Sequence, residues 1–136
     1  MREIKFRAWE KNLKQIISVD DINFETGTIN TRSAWRQFFE IELMQFTGLK
    51  DNLDVDIYER DIVELYGDFD EDGVCSYTKS EVIFYEGCFC ITDSFEYGKD
   101  PMPISQWLED GGEFLVVIGN VFEHKHLLDA DMKVEG

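Results

Sequence analysis

Residues 82–91 read VIFYEGCFCI, two apolar runs separated by Glu86-Gly87, and no other stretch constrains the chain as tightly. Two residues are the length of the shortest common hairpin loop, and the glycine offers the positive φ that such a loop demands. In that register Phe84 faces Phe89 and Val82 faces Ile91 on one side, while Tyr85 faces Cys88 and Ile83 faces Cys90 on the other. A chain built around this object is expected to be made of antiparallel strands.

The pattern elsewhere agrees. Ile4-Lys5-Phe6-Arg7-Ala8-Trp9 alternates, which places Ile4, Phe6 and Ala8 on one face and Lys5 and Arg7 on the other. Short apolar runs at 16–19 and 22–24, the turn-like Glu25-Thr26-Gly27-Thr28 and a strand around Ile29 predict an N-terminal meander. Behind Ser33, the i, i+3, i+4 spacing of Trp35, Phe38 and Phe39 predicts a short helix, although the same aromatics suit a strand. Residues 41–46 and 57–66 read as strands with a turn at 48–54 between them. Pro103, Ile104, Trp107 and Leu108, closed by Gly111-Gly112, predict one short amphipathic helix, and 114–118 a continuous apolar strand ending at Gly119-Asn120. With 11 Phe, 5 Tyr and 3 Trp suited to pleated surfaces, the expected fold class is all-β. A chain of 136 residues supports one compact domain, with room for a smaller N-terminal lobe. The expected organisation is a β lobe over 1–46, a small barrel with one short helix over 47–128, and a frayed tail over 129–136.

Charge narrows the partners. The chain carries 13 Lys and Arg against 29 Asp and Glu, a net −16, which disfavours direct binding to a phosphate backbone. Residues 51–72 hold ten carboxylates with Arg60 as the single cation, whereas the first fourteen residues are basic. Asp61, Glu64, Asp68, Asp70 and Asp72 are therefore acidic contact candidates and Lys5 and Arg7 basic ones, for a protein partner or for a second copy of the chain. A solvated, solubilising surface accounts for the same charges. Residues 1–15 lack the apolar run of a signal peptide, and no segment approaches the ~20 apolar residues of a membrane span. The expectation is a soluble, cytoplasmic protein.

The motifs suggestive of chemistry are incomplete. Asp68 to Gly73, DFDEDG, begins like a calcium loop, but the chelating position 12 is occupied by Lys79 and strands are expected on both sides. Asp68, Asp70 and Asp72 remain weak cation candidates. His124-x-His126 offers two imidazoles to a metal if that segment is extended, and Cys88-x-Cys90 two thiols on one strand face, each without further ligands. Three cysteines without a Cys-x-x-Cys pair are read as reduced thiols. No nucleophile stands at a recognisable spacing from a base, so neither a cofactor nor an enzymatic activity is expected. Trp9, Trp35 and Trp107 are assigned to core packing.

Four stretches, MREIKFRAWE, LMQFTGLKD followed by DIYERDIV, EVIFYEGCF and VVIGNVFEHKHLL, together resemble the YopX family of phage and prophage proteins. The resemblance spans nearly the whole chain. It implies a small all-β protein whose C-terminal part is an SH3-like barrel, and it brings no catalytic residue with it. Two departures stand out: Arg60 occupies the place where relatives usually have glycine after the Tyr-Glu pair, and His124-Lys125-His126 replaces an NPELL-like close. The function expected from these readings is a non-enzymatic phage accessory protein that binds another protein. The rivals are a homo-oligomeric structural protein and an acidic mimic of nucleic acid.

Overall fold

The computed structural model describes residues 2–69, 71–73, 75–92, 101–109 and 114–128, without the side chains of 68, 69 and 75–77; the expected tail at 129–136 lies outside them. The chain is mostly β, with 54% in strands and 15% in short helices, arranged as several antiparallel sheets and a half-barrel. The all-β expectation therefore holds. The chain divides after Gly48 into two units, each described by itself.

In the first unit β1 (Phe6–Glu10) is flanked by antiparallel β2 (Gln15–Ser18) and β6 (Ile41–Lys50), the last two residues of which belong to the second unit. A meander of β3 (Asp21–Asn23), β4 (Thr28–Asn30) and β5 (Trp35–Gln37) forms a second sheet. The β3–β4 turn forms where expected: Asn23 Oδ1 accepts from the Glu25 and Thr26 amides, and Gly27 takes φ 68. Ala8, Ile29 and Ile41 form the buried core, with Ile17, Val19, Ile22, Phe38 and Leu43 against them.

Three sequence readings change in this unit. Ile4 is 56% exposed because β1 begins only at Phe6. The helix expected around 33–39 is strand β5 followed by a single 3-10 turn, Phe38–Glu40. Thr31 and Ala34 close a turn through three mutual hydrogen bonds, and β4 then captures Trp35–Gln37 by pairing. As a result Trp35, assigned to the core, is 58% exposed.

The second unit contains β7 (Asp56–Tyr58), β8 (Asp61–Phe69), β9 (Cys75–Glu81), β10 (Ile83–Tyr85), β11 (Cys88–Ile91), β12 (Met102–Pro103), helix α1 (Ile104–Glu109), β13 (Phe114–Asn120) and helix α2 (Val121–His124). Two three-stranded sheets run in the orders β13-β8-β9 and β10-β11-β12. The hairpin has the expected register, Phe84 opposite Phe89, Tyr85 opposite Cys88 and Ile83 opposite Cys90. Glu86 (φ 48) and Gly87 (φ 88) are both left-handed, the geometry of a type I′ turn. Ile57, Val63, Leu65, Val82, Ile91, Ile104, Trp107 and Leu115 make the core. Each large member contributes roughly 1.5–3 kcal/mol by leaving water.

The expected strand over 57–66 is two strands, because Glu59-Arg60 turns the chain between β7 and β8. Strand β6 runs through Gly48 to Lys50, so the turn expected from 48 begins at Asp51. Among the described side chains of strand β9 the buried positions are Thr78 and Ser80, hydroxyls that give no apolar signal.

Candidate functional site

Several acidic residues of the sequence turn out to be parts of the scaffold. Asp51, only 7% exposed, accepts the Leu53 and Val55 amides on Oδ1 (2.8 and 2.9 Å) and the Val117 amide on Oδ2 (2.9 Å). It thus shapes the 51–55 loop and fastens it to β13. The neighbouring Asn52 side chain accepts from Leu115 N at 2.7 Å, doubling the attachment. In the first unit Glu10 acts alike, buried and accepting the Asn12 and Leu13 amides at 2.8 and 3.0 Å. A carboxylate that takes two or more backbone N–H groups compensates much of its own desolvation.

Asp61 is 1% exposed and accepts the Tyr58 amide at 2.8 Å, while its backbone carbonyl accepts from Val82 N. It is a turn-former, not the surface contact its charge suggested. Arg60, immediately before it, sits at φ 71. Its backbone bonds to Val82 O (2.7 Å) and receives Val121 N (2.9 Å); its side chain lies 2.6 Å from Glu81 Oε2 and over the Phe122 ring at 5.2 Å. This one residue joins the approach to β10 with the start of α2.

The remaining contact candidates are dispersed. Glu64, half-buried on β8, accepts the Tyr66 hydroxyl and stands opposite Lys79 on β9. Asp68 lies in β8 with its side chain undescribed, Asp70 lies outside the described residues, and Asp72 is exposed. The DFDEDG motif thus joins two strands, β8 and β9, instead of two helices. Lys5 and Arg7 are both half-buried; Lys5 lies 3.5 Å from Glu3 and 4.6 Å above the Phe46 ring. A surface depression beside them is lined by Ile4, Lys5, Phe6, Val19, Asp20, Asp21 and Ile22.

The two candidate metal pairs fare differently. The His124 segment is helical, not extended: Asn120 caps α2 by accepting the Phe122 and Glu123 amides, and His124 Nδ1 accepts from Asn120 N at 3.2 Å. The His124 and His126 rings lie 6.3 Å apart, tilted by 56°. Cys88 and Cys90 do converge, with sulfurs 3.5 Å apart and Cys90 buried. Burial, then the Cys88 thiol beside it, pushes the Cys90 thiol up to about 11. Among the described residues no three His, Cys, Asp or Glu side chains gather into a metal-holding group, and no helix is long and apolar enough to cross a membrane.

A sequence model of the YopX protein family matches residues 5–129. The chain belongs to the YopX protein family. Protein EF1440 from Enterococcus faecalis, known from its crystal structure, is similar to this YopX chain with a TM-score of 0.66 and 25% identity, over 94% of this chain and 99% of that one. No curated protein matches the chain. The Arg60 departure now has a physical meaning. The turn between β7 and β8 requires a left-handed residue, which glycine enters freely; this YopX protein places an arginine there, tied by its side chain to Glu81 and Phe122. Sequence reasoning missed that role, and those of Asp51 and Glu10. The available signal was an acidic or Asx residue at the head of a polar turn, as in Asp51-Asn52-Leu53-Asp54.

Proposed function

We propose that this YopX chain is a non-enzymatic protein-binding module of a phage or prophage, whose second unit presents acidic side chains to a basic partner. One observation carries the reading. Met1–Gly48 holds seven carboxylates and seven cations, whereas Leu49–Gly136 holds 22 carboxylates and six cations, so the net −16 belongs entirely to the second unit. A unit of one sign speeds encounter with an oppositely charged surface and repels nucleic acid. Asp51 and Asp61 are buried for structural purposes, while Asp54, Glu71, Asp72, Glu86, Glu109 and Glu123 reach solvent. The same charge favours a narrower version, in which the partner is a nucleic-acid-binding protein and this unit occupies its phosphate groove.

The test uses the tagged full chain as bait in extract of phage-bearing host cells, eluted by rising salt, followed by titration against the purified partner. Association is expected to weaken with salt, and to weaken at least several-fold in the triple variant Asp54→Asn, Glu71→Gln, Asp72→Asn. Displacement of nucleic acid from the partner supports the narrower version. Binding that neither salt nor the triple variant disturbs overturns the acidic-surface reading.

A further inference from the structure

We infer that Cys88 Sγ, Cys90 Sγ and the Tyr85 carbonyl form a three-point site for a soft ion of low coordination number, of the copper(I) class. Alternate residues of a strand project to one face, so β11 aims both thiols the same way. Their sulfurs lie 3.5 Å apart, and the Tyr85 oxygen is 3.6 Å from Cys88 Sγ and 3.8 Å from Cys90 Sγ. Tyr85 stands directly opposite Cys88 across the hairpin, so the Glu86-Gly87 turn returns the chain just far enough to supply this third corner. The three atoms form a nearly equilateral triangle. Its centre is about 2.1 Å from each corner, close to the ~2.0–2.3 Å of metal–oxygen and metal–sulfur bonds. An ion slightly out of the plane reaches both sulfurs at full bond length without backbone movement.

The donor set selects the ion. Thiolates favour soft metals, and a closed zinc site wants four ligands. Among the described residues no third His, Cys, Asp or Glu joins the pair. Two thiolates with a weak carbonyl donor therefore match copper(I) better than zinc(II). Cys88 is only half-buried and adjoins the exposed Glu86-Gly87 turn. The Glu86 carboxylate adds a negative field at the site. Thiolate ligation releases protons, so affinity climbs with pH.

The experiment titrates the reduced full chain, without oxygen, with copper(I) in competition with a chromophoric copper(I) chelator. One ion per chain is expected. Cys88→Ser should weaken binding at least tenfold, Cys88→Met, which keeps a soft sulfur, should weaken it less, and Cys75→Ser should bind like the parent. Circular dichroism checks that the half-buried position 88 tolerates these changes. Unchanged affinity in Cys88→Ser, a stoichiometry that follows Cys75, or zinc(II) held as tightly as copper(I) overturns the assignment.

Discussion

A side chain at position 119 would collide with His124: a Cβ built on Gly119 meets His124 Nδ1 at 2.6 Å, Cγ at 2.7 Å and Cβ at 2.9 Å. Because His124 Cβ is itself in the way, no rotation of the ring alone relieves the overlap. Gly119→Ala must displace the histidine and with it the Asn120 N–H bond to Nδ1. A loss of roughly 1–3 kcal/mol is expected, the range for overfilling a packed site. In a double-mutant cycle by urea unfolding, Gly119→Ala with His124→Gly, which removes the blocking Cβ as well as the ring, should cost clearly less than the two single changes added together. Simple additivity would show that the contact is not what demands glycine here.

Arg60 offers a test of backbone strain against side-chain contact. Arg60→Gly and Arg60→Ala both remove the pairing with Glu81 and the contact over Phe122, but only alanine keeps a Cβ at φ 71. The glycine variant should be about 1 kcal/mol the more stable of the two, the cost of a left-handed residue. Against the parent it should differ little, since a half-exposed ion pair and a cation–π contact contribute only ~1 kcal/mol or less each. Denaturant midpoints decide; an alanine variant as stable as the glycine variant removes the strain argument.

Local patterns are legible in a sequence, whereas pairing and backbone geometry are not. The VIFYEGCFCI hairpin was legible to the register because turn length, glycine and alternation are all local. Trp35 was not, since the same three aromatics fit a helix or a strand and only pairing with β4, through the turn at Thr31 and Ala34, decides between them. Strand β9 was missed because the buried side chains described in it are the hydroxyls of Thr78 and Ser80. In the same way Asp61 counts as surface charge until the Tyr58 amide is seen to need it. At the thiol pair, strand alternation showed Cys88 and Cys90 sharing a face, but a carbonyl leaves no trace in side-chain pattern, so the third corner at Tyr85 emerged only from the fold.

Asp51 should be among the most sensitive polar positions of the second unit. Asp51→Ala leaves the Leu53, Val55 and Val117 amides without their acceptor and opens the attachment of the 51–55 loop to β13. Hydrogen bonds to a charged group are worth about 1.5–3 kcal/mol, and buried donors left unmatched add to the loss. A destabilisation of roughly 3 kcal/mol is expected by urea unfolding. Asp51→Asn, which keeps one carbonyl oxygen for the 53 and 55 amides, should lose clearly less. If alanine and asparagine prove equal, the oxygen facing Val117 is the dominant acceptor and the loop-shaping role is overstated.

Alkaline pH should weaken the fold through Cys90. Burial, followed by the hydrogen bond and charge of Cys88 and the charge of Glu86, raises its thiol from 9.0 to about 11. The folded state therefore holds this proton across a window in which the unfolded chain releases it. Stability from this group is present in full below pH 9.0, falls as the pH rises, and is gone once the folded pKa of about 11 is passed. Lysines and tyrosines titrate in the same range, so the parent must be compared with Cys90→Ala under reducing conditions, one urea curve at each pH. The parent's advantage over the variant should shrink steadily between those two limits. An advantage that stays constant or grows with pH would mean that the thiol is not held neutral by the fold, and that Cys90 is as ready to ionise inside the hairpin as outside it.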